Sequence, residues 1–153
     1  MNTLPVLKNP AACTESELAA FETTLYAAGE PASPTLGERI RRAECLAFLP
    51  DAIGALKCPS ADHCRGVFKR AGAEASPENF ALELGWLTGS AAGLPAIIEA
   101  LVRAADGRPV FIITRADDDA LHEVLAGHGF HAEGAPSASP RGAYRNQLFV
   151  CAN

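Results

Sequence analysis

Segments with the period of a strand alternate with segments with the period of a helix through the second half of the chain. Phe80 to Leu87 alternates with a period of two, and Val110 to Thr114 is an unbroken apolar run, so both predict strands. Between them, Leu94 to Ala105 has apolar residues at i, i+3, i+4, i+7 and i+8, which predicts an amphipathic helix. Because strands separated by a helix pair in parallel, this order predicts a sheet that is at least partly parallel.

The last part of the chain predicts a different kind of strand pair. A helix that stops at Gly129 is followed by two segments that predict strands, Phe130 to Glu133 and Tyr144 to Cys151. Residues 134–142 between them are rich in Gly, Ser and Pro and predict a surface loop. A close pair of strands implies an antiparallel edge. The expected fold class is therefore α/β, with a mixed, twisted sheet and helices on both faces.

Start and stop signals divide the first half into further elements. Thr14 and Glu17 form a capping box, which opens a helix that Gly29 can stop. A second box at 35–38 predicts another helix, running through Ala47 and ended by Pro50. Residues 52–57 predict a short strand, and residues 60–72 predict a third helix with a serine cap and a glycine stop.

Length and charge limit the classes of function. The chain has 153 residues, which predicts one domain over 1–153. Its net charge of −5 argues against nucleic acid or an anionic membrane as the main partner.

No apolar run approaches the ~20 residues that cross a bilayer, and the first residues lack the pattern of a signal peptide. Arginine outnumbers lysine ten to three, which we read as bacterial coding bias.

The cysteines indicate a reducing compartment. Five scattered cysteines in a chain without a leader are typical of reduced thiols, so we expect a cytoplasmic protein. Cys58, His63 and Cys64 lie close together in sequence, but their spacing matches no zinc signature, and no second ligand pair follows. No metal site is therefore expected.

Residues 118–130 are D-D-A-L-H-E-V-L-A-G-H-G-F, a helix pattern that ends in Gly-Phe. With the segments around it, from about Phe80 to Val150, this pattern resembles the GNAT superfamily of acyl-CoA-dependent N-acyltransferases, whose helix at this place also ends in Gly-Phe. The preceding strand G-R-P-V-F-I-I-T-R is where the family has one, and Ile53 to Pro59 is similar to the family's isoleucine-glycine strand. Order and spacing together carry the resemblance.

The resemblance implies an acyl-CoA site around the turn between the Phe80 strand and the Leu94 helix. In the family a Gln/Arg-x-x-Gly-x-Gly/Ala loop wraps the pyrophosphate, with backbone N–H groups and the helix dipole facing it. Gly93 matches the first glycine, while Ser90 replaces the basic or amide residue and Pro95 replaces the last glycine. An ordinary Gly/Ser/Ala turn before a helix is the alternative. The implied acetyl-CoA residues are Gly85, Trp86, Leu87, Gly89, Ser90, Ala91, Ala92, Gly93 and Leu94.

Catalytic groups are implied less directly. Transfer to an amine needs a base, and Glu83 in the strand before the loop is the candidate; the alternative is that it faces water or pairs with an arginine. The family's usual acid is a tyrosine four residues before the glycine of Gly-Phe, which here is Leu125. Tyr144 is the candidate substitute, with His122 and His128 as further options.

The implied function is acyl-CoA-dependent N-acyl transfer, with acetyl-CoA as co-substrate and a small-molecule or protein amine as acceptor. The departures at Ser90, Pro95 and Leu125 keep open a catalytically inactive GNAT-like fold that acts as a ligand-binding or regulatory module. A weaker third option, a toxin or nucleic-acid modifier of this fold, requires the basic residues between 57 and 70 to form one patch. Whether the chain forms a homodimer is left open.

Overall fold

The computed structural model describes residues 3–140 and 142–152, and its contacts divide into two compact units. The first unit contains the residues up to Cys58 together with Leu84–Ala104, and the second contains Pro59–Glu83 and the residues from Ala105 onward. The described residues form seven strands and five α-helices. The strands are β1 (Val6–Lys8), β2 (Cys45–Leu49), β3 (Ala52–Lys57), β4 (Leu82–Gly89), β5 (Val110–Arg115), β6 (His131–Ala138) and β7 (Arg145–Cys151). The helices are α1 (Glu15–Ala27), α2 (Leu36–Arg41), α3 (Ala61–Ala71), α4 (Gly93–Ala105) and α5 (Asp119–Gly127).

The first unit has the strand order β1-β2-β3-β4 and the helices α1, α2 and α4. The predicted capping box at the start of α1 is present: the Thr14 side chain accepts from the backbone N–H of Glu17, whose carboxylate accepts from the backbone N–H of Thr14. Glu17 also accepts from Lys8 of β1 at 2.6 Å, and this hydrogen bond lowers the pKa of Glu17. Phe21 of α1 is buried and makes an edge-to-face contact with Trp86 of β4.

The prediction of a second helix through Ala47 is wrong beyond Arg41. Helix α2 ends at Arg41, Thr35 makes no side-chain cap, and Cys45–Leu49 is the strand β2. Strand β2 pairs antiparallel with both β1 and β3, and Leu46 and Ala47 are buried. A five-residue apolar run suits either structure, and the two flanking strands decide in favour of the sheet because they supply partners for its backbone. The three-residue strand β1 was not predicted.

The second unit has the order β4-β5-β7-β6, and it confirms the mixed α/β class. Leu82 and Glu83 of β4 pair in parallel with β5, whereas β7 is antiparallel to both β5 and β6. Its core is partly aromatic: the Phe111 ring lies edge-on to the Phe68 and Phe80 rings, with centroids 5.4 and 6.2 Å apart. The parallel pair and the final antiparallel pair are therefore as the sequence predicts.

The predicted loop at 134–142 is shorter than expected. Strand β6 continues to Ala138, with an irregularity in its pairing between Glu133 and Ser137. Gly134 makes this path possible, because its φ is +71° and a Cβ there would lie 2.1 Å from the carbonyl oxygen of Ala71. Glycine and proline in a strand mark a bulge or an edge rather than the end of the strand. Arg141, in the remaining loop, lies outside the described residues.

No helix in the described part of the chain is long and apolar enough to cross a membrane.

Candidate functional site

Glu83 is a buried carboxylate in the parallel part of β4. It pairs in register with Phe111 of β5, and its side chain is only 7% exposed. Strict alternation would turn Glu83 away from the face that buries Leu82 and Leu84, yet all three residues are buried. Because a buried carboxylate is costly unless it is hydrogen-bonded, its surroundings must stabilise it. The alternative that Glu83 faces water is therefore wrong.

His63 is a hydrogen-bonding partner of Glu83. Its Nε2 lies 3.2 Å from Oε1 of Glu83, and its side chain is 40% exposed. Helix α3 holds the ring in place: Ser60 caps the helix by accepting from the backbone N–H of His63, and the ring centroid lies 6.3 Å from that of Phe111. The pair thus joins a buried carboxylate to a half-exposed imidazole, which can exchange protons with solvent.

The charge of Glu83 also acts on Cys64, the next residue of α3. Burial raises the pKa of the Cys64 thiol, and the nearby carboxylate raises it further. Cys64 is therefore a thiol that packs and donates to the carbonyl of Phe80, not a reactive thiolate. Within residues 3–140 and 142–152, no group of three His, Cys, Asp or Glu side chains could hold a metal ion.

Tyr144 lies far from Glu83 within the second unit. It precedes β7 and stacks on Arg115, whose guanidinium carbon lies 4.5 Å from the ring centroid. Arg115 pairs with Asn146 of β7 and is four residues beyond Phe111, so Tyr144 lies on the order of 13 Å farther along β5 than Glu83. The structure does not bring these two predicted catalytic residues together.

Tyr144 instead lines a cavity of about 330 Å³ with Thr114, Arg115 and Ser139. The charge of Arg115 is partly compensated there, since its guanidinium donates to Asp117 and lowers the pKa of that carboxyl.

The remaining residues considered for the role of the acid lie in helix α5 or at its end. Leu125, at the position of the family's tyrosine, is completely buried. The Nε2 of His122 lies 2.8 Å from the hydroxyl of Thr114, and its ring contacts Phe149 with centroids 4.5 Å apart. His128 is the C-cap of α5.

Strand β4 is irregular at Trp86, in the first unit. Trp86 has a φ of +52°, a left-handed conformation that is rare for a bulky residue and costs roughly 1–3 kcal/mol. The Nζ of Lys57 lies 4.7 Å from the centroid of the Trp86 ring, and a Cβ at Gly85 would be 2.7 Å from Cδ of Lys57. Strain of this kind and local bulges are frequent beside functional sites, where they direct backbone groups out of the ladder. Gly85 and Trp86 were predicted for the donor site, whereas Lys57 was considered only as part of a basic patch.

The turn at 89–94 joins β4 to α4 and packs against Asp51 and Ala52. Gly89 has a φ of +137°, and a Cβ there would lie 2.3 Å from the carbonyl oxygen of Asp51. The hydroxyl of Ser90 donates to Oδ2 of Asp51 at 2.5 Å and accepts from the backbone N–H of Gly93 at 2.9 Å. Asp51 is exposed and belongs to the turn between β2 and β3, and no local sequence signal connects it to this site.

Pro95 interrupts the backbone hydrogen bonds at the start of α4. The backbone N–H of Leu94 donates to the carbonyl of Ser90, which is the first helical hydrogen bond. The next bond of that series would run from residue 95 to the carbonyl of Ala91, and proline cannot form it. A backbone N–H at position 95 would therefore serve the helix rather than a ligand.

Solved structures provide comparisons over nearly the whole chain. An acyl-CoA N-acyltransferase from Pseudomonas aeruginosa is 16% identical, with a TM-score of 0.70 over 98% of this chain and 100% of that one. A GNAT-family acetyltransferase from Streptococcus agalactiae is 8% identical, with a TM-score of 0.66 over 97% and 95%. The ribosomal-protein-S18-alanine N-acetyltransferase from Escherichia coli is 12% identical, with a TM-score of 0.61 over 97% and 93%. No family model and no curated protein sequence matches the chain. The chain has the fold of the GNAT superfamily.

Proposed function

We propose that the chain is a single GNAT-like domain that transfers an acyl group from acetyl-CoA to an amine. The observation that carries this proposal is the hydrogen-bonded pair of Glu83 and His63. The buried carboxylate lies in strand β4, and the half-exposed imidazole lies on helix α3. A pair of this kind can take a proton from an ammonium ion and return it to water.

Glu83 acts as the base in this mechanism. It removes a proton from the acceptor's ammonium group, directly or through a water molecule, and so frees the nitrogen lone pair. The neutral nitrogen attacks the thioester carbonyl and forms a C–N bond, and the carbonyl oxygen becomes an oxyanion. When the tetrahedral intermediate collapses, the C–S bond breaks and the extra proton on the nitrogen passes to the departing sulfur, so the products are a neutral amide and the CoA thiol.

His63 acts through Glu83 as a positioning and proton-relay residue. A carboxylate that is 7% exposed exchanges protons with water poorly, whereas the half-exposed imidazole contacts both Glu83 and solvent. After each turnover the proton passes from Glu83 to the imidazole and then to water, which restores the base.

The donor is held by residues of the first unit. Gly85, Trp86 and Leu87 run beside the pantetheine arm, and the turn 89–94 faces the pyrophosphate. Small side chains in this turn permit close approach of the backbone to the ligand. The acceptor is a small-molecule or protein amine.

Thermal stability in the presence of acetyl-CoA tests the proposal. At about 100 times its dissociation constant, acetyl-CoA should stabilise the chain by roughly 2.7 kcal/mol and raise the melting temperature. A panel of amines should then release CoA thiol in proportion to the amine acetylated. If neither a thermal shift nor a calorimetric signal occurs with millimolar acetyl-CoA, the proposal is wrong.

Replacement of His63 tests its part in the mechanism. We expect His63→Ala to slow acetyl transfer at least roughly tenfold and added imidazole to restore part of the rate, because the small base can enter the vacated space. The matched control is His131→Ala, since His131 also faces a glutamate but lies 4.0 Å from it at an exposed site. A His63→Ala rate that imidazole does not change would argue for a purely structural role.

A second candidate is a GNAT-like module that binds a ligand without catalysis. It is favoured by two observations: Leu125 is completely buried at the position of the family's acid, and Ser90 and Asp51 already bond to each other at the donor turn. A chain that binds acetyl-CoA but acetylates no amine across a broad panel would support this candidate over the enzyme.

A further inference from the structure

The start of α4 is stabilised by groups from within the chain. Asp51 makes two contacts with Ser90: its carboxylate accepts from the hydroxyl at 2.5 Å, and its carbonyl accepts from the backbone N–H at 2.9 Å. The same hydroxyl accepts from the N–H of Gly93, and the carbonyl of Ser90 accepts from the N–H of Leu94. Donors that would otherwise face a bound anion are thus engaged in the first turn.

A negative charge lies at this helix end. A Cβ at Gly93 would be 3.0 Å from Oδ1 of Asp51, so the carboxylate is next to the glycine that corresponds to the family's pyrophosphate loop. Asp51 interacts favourably with the positive end of the α4 dipole, and it therefore takes the place in the helix field that a phosphate would take. Residues 88–95, Thr-Gly-Ser-Ala-Ala-Gly-Leu-Pro, contain no basic side chain to offset it.

The Asp51 carboxylate would repel a pyrophosphate bound at this turn. In a water-like dielectric, each phosphate charge about 6 Å from an exposed carboxylate would weaken binding of the ligand roughly threefold, so two charges would weaken it about tenfold. Salt weakens this effect because the charges are exposed. The pantetheine arm and the thioester are uncharged and do not experience it.

We propose that Asp51 is a specificity-determining residue that makes the chain select thioester donors by their pantetheine arm rather than by their nucleotide diphosphate, a role that rests on the acyltransferase function proposed above. The preferred class of donor is an acyl pantetheine thioester in which the nucleotide diphosphate contributes little to binding. Ser90 assists by holding the Asp51 carboxylate at the turn.

Calorimetric titration with three donors tests this role: acetyl-CoA, S-acetyl-4′-phosphopantetheine and S-acetylpantetheine. In the unaltered chain, the dissociation constants of acetyl-CoA and S-acetylpantetheine should agree within about threefold. In Asp51→Asn, which retains an oxygen to accept from Ser90, acetyl-CoA should bind about tenfold more tightly at low salt, and S-acetylpantetheine should bind as before. The gain for acetyl-CoA should decrease in 0.5 M salt.

Controls separate a local effect from a change in net charge. Glu30→Gln removes one negative charge outside this turn and should leave all three dissociation constants unchanged, and each variant's melting temperature shows whether it is folded. If the unaltered chain binds acetyl-CoA 100-fold more tightly than S-acetylpantetheine, or if Asp51→Asn leaves their ratio unchanged, the role of Asp51 is overturned while the acyltransferase function stands. If none of the three donors binds, the proposed function fails, and the role of Asp51 fails with it.

Discussion

In the Glu83→Gln variant, we expect acetyl transfer near neutral pH to fall by about 10²–10⁴-fold, the usual contribution of a positioned base. Glutamine has the same size, and it retains a group that can hydrogen-bond to Nε2 of His63. What it lacks is the basic oxygen that accepts the proton. The melting temperature and the affinity for acetyl-CoA should therefore change little, whereas the rate should change greatly.

The pH dependence of this variant distinguishes loss of a base from general damage. At high pH more of the acceptor amine is already neutral, so the variant should regain part of its rate. Glu133→Gln is the matched control, because Glu133 is also a glutamate near a histidine in the second unit but is more exposed. An unaltered chain that is active, with a Glu83→Gln variant that is equally fast at every pH, would remove Glu83 from the mechanism.

The sequence predicts elements well where a local signal coincides with the tertiary environment. The apolar stripe of α4, the capping box of α1 and the buried run of β5 each have a period or cap that needs no distant partner. Cys45–Leu49 has no such signal, because its identity as a strand depends on β1 and β3, which flank it. The later residues of β6, from Gly134 to Ala138, similarly depend on Ala71, whose carbonyl lies against Gly134.

The candidate site was only partly predictable for the same reason. Glu83 is conspicuous as a charge in an apolar strand, and Gly89 and Gly93 are conspicuous in a turn before a helix. The partner of Glu83 is His63, which is 20 residues away in sequence. The partner of the turn is Asp51, which is 39 residues from Ser90 and contacts it. Neither partner has a motif of its own: the histidine suggests a metal ligand and the aspartate an ordinary turn residue. Only the folded chain shows that each is in contact with the predicted site.

The second large effect that we expect is on stability, in the variant Gly89→Ala. Gly89 has a φ of +137°, which side chains rarely adopt, and the new Cβ would lie 2.3 Å from the carbonyl oxygen of Asp51 and 2.4 Å from Cα of Ala52. Both atoms belong to the backbone of the adjacent turn and strand, so neither can rotate away. Backbone strain and overpacking together should lower the free energy of unfolding by about 2–6 kcal/mol, a large share of the stability of a small domain.

Gly29→Ala is the control that separates these two causes. Gly29 has a φ of +102° in the same unit, but a Cβ there would meet no atom within 4 Å. This variant should lose only the backbone contribution, about 1–3 kcal/mol, in a urea titration that compares both variants with the unaltered chain. Equal losses of stability in the two variants would contradict the close packing of Gly89 on Asp51, and with it the geometry of the donor turn.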